Sequence, residues 1–470
     1  MNPIRHIHLI AVCGTGMGAL AGMLKAAGYH VTGSDLNVYP PMSTLLAAQG
    51  IVPYSGFAPE HLDGADLVVV GNAVSKTNPE VAAMLERGIP YRSFPQALAE
   101  FFIGDRHAMV VAGTHGKTTT TALLAWVLTA AGRDPGAMIG GWARNFEGNY
   151  RLGKGEHVVV EGDEYDTAFF DKGPKFLHYR PRTAILTSIE FDHGDIYGHL
   201  DQIVSAFTTF VELIPRDGLL LAADGDATVT SVAARAACRV ETYGFEATSH
   251  WRAEAVRPER GGMAFEVRKG GEPYGAFRLP LLGRHNVMNA LAVIGAADHA
   301  GLTPRDVAEG FRRFEGIKRR QEIVGTVRDI IVMDDFAHHP TAIRETLAAL
   351  KMGYPSRQLW AIFEPRSATS RRNTFQIAFA EAFDLADRVV IAKPFASEKL
   401  PADERLDVAR LVADLNRRGV QAAVLATADE IVRAIAPQLA PGDLVCVMSS
   451  GGFDGIHRKL LSALASLAPA

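Results

Sequence analysis

Gly113-Thr114-His115-Gly116-Lys117-Thr118 follows an apolar run, Met109 to Ala112, and precedes a long Ala/Leu stretch with apolar residues at helical spacing. Strand, glycine loop and helix in that order build an anion site. Glycines let successive N–H groups converge on a phosphate, and the new helix aims the positive end of its dipole at the same point. Lys117 adds a mobile cation for terminal phosphates, the Thr118 hydroxyl is placed to ligate Mg²⁺, and Thr119 continues the entrance. The general P-loop pattern would need glycine where Val111 stands, so this is the shorter form Gly-Thr-x-Gly-Lys-Thr. That short form could also be a capped glycine turn. The flanking strand, the helix and the run of threonines at its entrance favour phosphate.

Two further strands are expected to deliver acids beside this loop. His157 to Val160 runs into Glu161, Asp163, Glu164 and Asp166, which is either a solvated turn or a cation site of Walker-B type; Thr183 to Ile189 runs into Glu190, Asp192, His193 and Asp195. Gly283 to Ala290 opens an alanine-rich helix whose amides could cap it or hold a base edge. The triplet Lys318-Arg319-Arg320 reads as a solvated hinge or as cations for a phosphate. Beyond it, strand Ile330 to Met333 leads to Asp334-Asp335 and His338-His339-Pro340, with Pro340 in the first turn of a helix. Strand Leu359 to Phe363 ends in Glu364-Pro365-Arg366-Ser367, near Arg371 and Arg372.

These residues need a frame of alternating strands and helices, and the N-terminus supplies one more unit of it. Strand His6 to Val12, the loop Gly14-Thr15-Gly16-Met17-Gly18-Ala19, a helix to Ala27 and a strand ending near Asp35 form a G-x-G-x-x-A fingerprint. Such a loop selects for a diphosphate, whether of a nicotinamide cofactor or of a nucleotide sugar. Asn37 to Ser43 reads as a rigid turn with a helix opening at Ser43, and strand Asp66 to Val70 ends at a second switch-point loop, Gly71-Asn72-Ala73-Val74. Residues 216 to 280 read as irregular and β-rich, with no legible chemistry. Strands Arg388 to Ala392 and Leu444 to Met448 complete the alternation.

The 470 residues exceed what one core usually organises. The pattern predicts three α/β domains: residues 1–105 Rossmann-like, 106–320 P-loop ATPase-like with a mainly parallel sheet, and 321–470 Rossmann-like again. Hydrophobic content of 48% and charged content of 21% are those of a globular protein, and a net charge of -4 gives no broad electrostatic reason to bind nucleic acid or an anionic membrane. No apolar run approaches a membrane span, and three scattered cysteines, Cys13, Cys238 and Cys446, fit reduced thiols, so a cytoplasmic protein is expected.

GTHGKTT, a strand ending in E-x-D-E-x-D, I-E-x-D-H, G-R-H-N-x-x-N-A and D-D-x-x-H-H-P together resemble the Mur ligase family over essentially the whole chain. The resemblance implies an ATP-dependent amide ligase working through an acyl phosphate on UDP-N-acetylmuramate, so that the first fingerprint holds a sugar diphosphate and no redox cofactor. It implies Lys117 on the β/γ-phosphates, Thr118 and Glu161 on Mg²⁺, His193 on a second Mg²⁺, and Gly113, Thr114, His115, Gly116 and Thr119 around ATP. Asn289 would read adenine, Arg320 would approach the phosphates, and Asp335 would take the ribose with His338 beside it. Gly14, Thr15, Gly16, Met17, Asp35 and Asn72 would hold the UDP-sugar. Asp192 or His338 could deprotonate the attacking amine, and no lysine between Thr183 and Gly198 is available for the carbamylated form used by several relatives. The wording Y-P-P-M-S, E-Y-D-x-A-F-F-D-K, H-Y-x-P-R-T and E-P-R-S is similar to members that accept the tripeptide L-alanyl-γ-D-glutamyl-meso-diaminopimelate, with L-alanine as the alternative acceptor. Arg366 is the natural partner for the peptide carboxylates. A P-loop switch or transport ATPase is a remoter reading, and the oligomeric state is not legible.

Overall fold

The computed structural model describes residues 3–38 and 42–467. Three sheets of mainly parallel strands follow one another along the chain, with helices on their faces. The turn residues Tyr39, Pro40 and Pro41 lie outside the described residues, and the helix after them begins at Met42 rather than Ser43.

The first sheet has five parallel strands in the spatial order Tyr54–Ser55, His30–Asp35, His6–Ile10, Leu67–Val70, Tyr91–Ser93. The chain reverses direction across the sheet between His6–Ile10 and Leu67–Val70. That switch point opens a crevice at the strands' carboxyl ends, under the loops at Gly14 and Asn72.

The central sheet has ten strands. Its P-loop strand, His107–Ala112, lies between His157–Gly162 and Thr183–Leu186, both parallel to it, with Val111 opposite Glu161 and Ala112 opposite Leu186. Ala108 to Ala112 are all buried, as a strand covered on both faces by helices must be. The expected strand over Thr183 to Ile189 stops at Leu186, because Thr187, Ser188 and Glu190 bond instead to the P-loop. The stretch 216–280 is more regular than its sequence suggests. Leu219–Ala223 and Arg239–Gly244 continue the parallel sheet, Trp251–Glu259 joins it, and Gly262–Lys269 and Glu272–Leu279 add an antiparallel edge.

The third sheet places Glu322–Val327 antiparallel at one edge, followed by parallel strands Ile330–Asp335, Asp443–Met448, Gln358–Phe363, Arg388–Ala392 and Gln421–Leu425. Two apolar clusters cover its two faces. A single apolar cluster runs from Ile7, Leu9 and Leu20 in the first domain through Phe94 and Phe102 to Val110, Phe176 and Phe207 in the central one, so those two domains share a core. The third domain meets the central one through a smaller apolar patch, with Met352 on the central core and Phe191 facing Phe375, and through the polar contacts described next.

Candidate active site

The P-loop helix, Lys117–Ala130, starts from Gly116 at φ 80°. A Cβ on Gly116 would stand 2.5 Å from Asn289 Oδ1, so glycine is required both by the left-handed backbone and by the amide behind it. Asn289 is itself held by Asn286 Oδ1 at 3.2 Å, and Asn286 donates to the Leu282 carbonyl at 2.7 Å. The G-R-H-N-x-x-N-A helix therefore braces the loop from behind.

Lys117 is 11% exposed and folds back, donating to the Gly113 carbonyl at 2.6 Å and to Glu164 Oε2 at 2.9 Å. Burial alone would lower its pKa, but Glu164, Asp163 and Glu161 outweigh that and hold it above the ordinary value. Glu164 is 2% exposed and also reaches His193 Nε2 at 3.3 Å. Its carboxyl stays ionised because the two cations outweigh the cost of burial. His193 is correspondingly pushed up: burial opposes its charge, while Glu164 and Asp192 favour it more.

Glu161 makes a different set of contacts. It accepts from Thr118 Oγ1 at 2.9 Å and from the Gly140 amide at 2.7 Å, and burial followed by the neighbouring Asp163 raises its pKa. Asp163 is drawn off by Lys175 Nζ at 3.0 Å, whose ammonium lies 3.9 Å from the centroid of the Tyr165 ring. The acids at the end of strand His157–Gly162 are thus sorted, with Glu161 beside the Thr118 hydroxyl, Asp163 on Lys175, and Glu164 between Lys117 and His193.

The linker into the third domain brings Arg320 to the loop, its Nη2 donating to Thr118 Oγ1 at 3.4 Å. Arg319 and Gln321 both have positive φ (63° and 50°), and Arg319 donates to the carbonyls of Ser449 and Gly451, pinning the linker to the third sheet. Asp335 is buried and accepts from the Gln321 and Ala337 amides, each at 2.8 Å. Next to it, His338 Nδ1 donates to the Phe336 carbonyl at 2.9 Å, which leaves Nε2 as a free lone pair 4.0 Å from Asp192 Oδ2. Burial lowers the His338 pKa more than Asp192 raises it, so the imidazole is neutral. Asp192 is held far below the ordinary carboxylate range, against the cost of burial, by His338, His193 and the Thr369 hydroxyl at 2.7 Å.

In the first domain, Gly14 precedes the helix Thr15–Ala26, and its carbonyl accepts from Gly18 at 2.7 Å. Asp35 accepts from the Cys13 amide and the Asn37 amide, both at 2.9 Å, so it braces the fingerprint loop. Asn72 is exposed at the neighbouring switch loop. The Met17 side chain is buried in the shared core, so only its backbone faces the loop. Asn149 of the central domain reaches the Thr15 carbonyl at 3.3 Å, joining this loop to the next domain. In the third domain, Arg366 stacks on Phe395, with the guanidinium carbon 3.8 Å from the ring centroid, and lies 3.4 Å from Glu364.

Comparison with known proteins assigns the frame. Profiles for the Mur ligase family catalytic domain, the Mur ligase middle domain and the Mur ligase glutamate ligase domain match residues 6–106, 111–297 and 319–451 in turn. The chain belongs to the Mur ligase family. It is accordingly an ATP-dependent, amide-bond-forming ligase. It is 41% identical over 468 residues, 99% of each chain, to the Escherichia coli K12 UDP-N-acetylmuramate–L-alanyl-γ-D-glutamyl-meso-2,6-diaminoheptandioate ligase. The crystal structure of a murein peptide ligase from Psychrobacter arcticus superposes with a TM-score of 0.74 at 37% identity, covering 99% of this chain and 100% of that one. The UDP-N-acetylmuramate–alanine ligase of Thermotoga maritima gives 0.80 at 27% identity, covering 98% and 99%. Over three domains a global superposition weighs their mutual orientation heavily, so the higher score beside lower identity speaks of domain arrangement more than of acceptor.

Within this Mur ligase the structure gathers Lys117, Thr118, Glu161, His193, Asn289, Arg320, Asp335 and His338 around the P-loop. It adds Lys175 and Thr369, which the sequence did not single out, and gives roles to Glu164 and Asn286, which the sequence showed only as members of a motif. Glu164 stands in the same acidic run as Glu161 and Asn286 in the same motif as Asn289. Thr369 carried no signal, because its partner Asp192 is 177 positions away.

Proposed function

We propose that this Mur ligase joins the amino terminus of L-alanyl-γ-D-glutamyl-meso-diaminopimelate to the lactyl carboxylate of UDP-N-acetylmuramate, with ATP cleaved to ADP and phosphate, in cytoplasmic recycling of cell-wall peptide. The observation that carries the reading is full-length 41% identity to a ligase of that name, joined to a P-loop flanked by sorted acids. The domain limits are taken at residues 105 and 320.

A carboxylate resists an amine at neutral pH because oxide is its leaving group. Transfer of the γ-phosphoryl gives an acyl phosphate, whose leaving group is phosphate. Triphosphate and carboxylate repel each other, so the protein must place cations between them. Lys117 turns from Glu164 to the β/γ-phosphates, and Arg320 approaches them from the linker. Thr118 and Glu161 offer hard oxygen donors that suit Mg²⁺, and His193 would hold a second ion once it has lost its proton. Bound there, Mg²⁺ neutralises phosphate charge that would otherwise oppose the attacking carboxylate.

His338 is the better of the two groups considered for the amine proton. Its Nε2 is unprotonated and unbonded, whereas Asp192 is too strongly stabilised as an anion to be a useful base. Gly14, Thr15, Gly16, the Met17 backbone, Asp35 and Asn72 are placed around the UDP-sugar. Arg366, on the loop after strand Gln358–Phe363, is placed toward the carboxylates of the peptide.

The test is phosphate release from ATP and Mg²⁺ with UDP-N-acetylmuramate, comparing tripeptide with L-alanine and confirming the amide by mass. Turnover confined to the tripeptide, weakened by Arg366→Leu through the acceptor KM, is the expected result. Efficient turnover with L-alanine would transfer the assignment to the alanine-adding reaction.

A further inference from the structure

His115, Glu190 and His339 meet at the seam between the central and third domains, outside the phosphate-facing set described above. His115 comes from the P-loop, Glu190 from the loop after strand Thr183–Leu186, and His339 from the N-cap of helix Pro340–Gly353. Their ligand atoms all lie within 4.8 Å of one another. His115 Nε2 and His339 Nδ1 are each 3.5 Å from Glu190 Oε2.

Neither imidazole reaches hydrogen-bonding geometry with Glu190. His339 Nε2 faces the Phe191 carbonyl at 3.2 Å; a carbonyl only accepts, so Nε2 carries the proton and Nδ1 is a lone pair. That lone pair faces a carboxylate oxygen with no proton between them, and its one donor is the Thr341 amide at 3.3 Å. The Nε2 of His115 is buried and has no hydrogen-bond partner at all. Two imidazole nitrogens and a carboxylate oxygen thus converge, with the buried His115 nitrogen left unpaired, which is a ligand set for a cation.

The surroundings are those of a held ligand set. The Phe191 carbonyl fixes the His339 ring, and the Thr341 hydroxyl fixes Glu190 Oε2 at 2.7 Å, the kind of outer bonds that orient metal-binding imidazoles and carboxylates. Glu190 is fixed again through its own backbone, whose amide donates to Thr114 Oγ1 at 2.8 Å. His115 is 24% and Glu190 33% exposed, so the cluster opens to solvent on one side, where water could complete the coordination.

We propose that His115, Glu190 and His339 form a site for a late first-row divalent ion, Zn²⁺ foremost, that ties the P-loop to the third domain. Two imidazole nitrogens and one carboxylate suit Zn²⁺ or Co²⁺, whereas Mg²⁺ demands oxygen donors and keeps its water. The site is therefore chemically distinct from the one at Thr118 and Glu161. Contraction of the two imidazoles toward Glu190 by less than the gap between them would close it. Because the ligands come from both domains, the ion would hold the seam shut.

The experiment titrates Co²⁺ into the full-length, metal-stripped protein without ATP or sugar nucleotide, reading the visible ligand-field band, and competes it with Zn²⁺ and then Mg²⁺. One Co²⁺ per chain is expected, displaced by Zn²⁺ and not by millimolar Mg²⁺. His115→Ala and, separately, His339→Asn should each weaken Co²⁺ at least about tenfold, given that even outer-shell changes cost that much. His193→Ala should leave Co²⁺ affinity within about threefold. His339→Asn keeps a capping acceptor and His115→Ala alters only a loop side chain, so both should fold, as a circular-dichroism melt would show. Absence of a Co²⁺ band, displacement by Mg²⁺, or loss in His193→Ala with retention in the other two would each overturn the site. No substrate enters the assay, so its outcome is separate from that of the ligase reading.

Discussion

Glu164 pairs at once with Lys117 and His193 while almost wholly buried, so under the proposed reaction it would compete with a γ-phosphate for both cations. Triphosphate binding must break that pairing, and its cost is subtracted from ATP affinity. Glu164→Gln keeps the shape and removes the charge. It should lower the apparent KM for ATP about threefold, worth somewhat under 1 kcal/mol, and lower the melting temperature by a few degrees, because Lys117 loses its nearest counter-charge in a buried place. Steady-state kinetics beside a melt checks both, and a raised KM would show that Glu164 positions Lys117 rather than competing for it. His339 sets a pH dependence at the same scale. In an unfolded chain it takes a proton near 6.5, but the folded protein resists until about 4. The folded state therefore binds fewer protons in that window, and the stability it contributes is full above pH 6.5 and lost as pH falls toward 4. Near pH 4.5 the loss should be about 2 kcal/mol. Melting temperatures across pH 4 to 8 should fall less steeply in His339→Asn than in the parent. Glu190, held at about 2, adds a further loss in the same direction only at still lower pH.

At the scale of elements, strand Gly136–Ala143 matters to the site through one amide. Gly140 N–H holds Glu161 at 2.7 Å, and a Cβ at Gly140 would lie 2.4 Å from Glu161 Oε2. Gly140→Ala should therefore fold and still move the carboxylate that faces Thr118, lowering kcat about 100-fold, the cost of an ångström-scale misplacement. Activity within a few-fold of the parent would mean that Glu161 has room to give way. Gly140 also shows how far the sequence could be read. The P-loop, the acid-bearing strands and the first fingerprint were legible because each is a contiguous run in which a buried strand meets a glycine turn. The position of Gly140 against Glu161 was not, because the two strands are brought side by side by sheet order, which no local pattern encodes. Met17 shows the same limit of local pattern. The fingerprint fixes the backbone of Gly14 to Gly18, but the helix turns Met17 inward to the core shared with the central domain. The stretch 216–280 hid its strands because its edge hairpin alternates charged and apolar residues, so no continuous run announced them.

For the whole molecule, what distinguishes the two domain junctions is their chemistry. The first and central domains share an apolar core, which favours a fixed arrangement. The central and third domains meet through a smaller apolar patch, with Met352 on the central core and Phe191 facing Phe375, and through polar bonds that include Thr341 Oγ1 to Glu190 at 2.7 Å, Thr369 Oγ1 to Asp192 at 2.7 Å, and His339 Nε2 to the Phe191 carbonyl at 3.2 Å. A junction of that kind separates at small cost, and the paired positive φ angles at Arg319 and Gln321 place a turn where the third domain could pivot. The proposed site needs the junction closed, since His338 and Arg320 come from one side and Lys117, Thr118 and Glu161 from the other. Thr341→Val and Thr369→Val remove these bonds without altering a side chain proposed for ATP, Mg²⁺ or proton transfer, although Thr341 also fixes Glu190 of the proposed His115–Glu190–His339 site. At about 1 kcal/mol per bond, each should lower kcat/KM about fivefold, and the two should nearly add because they anchor different residues. If closure is what they serve, the double variant should also scatter X-rays as a more extended particle with ATP and Mg²⁺ present, while its melting temperature stays close to the parent's. Unchanged kinetics with an unchanged scattering profile would mean that the productive conformation is held by the substrates alone, with Arg320 and the bound phosphates forming the decisive link across the seam.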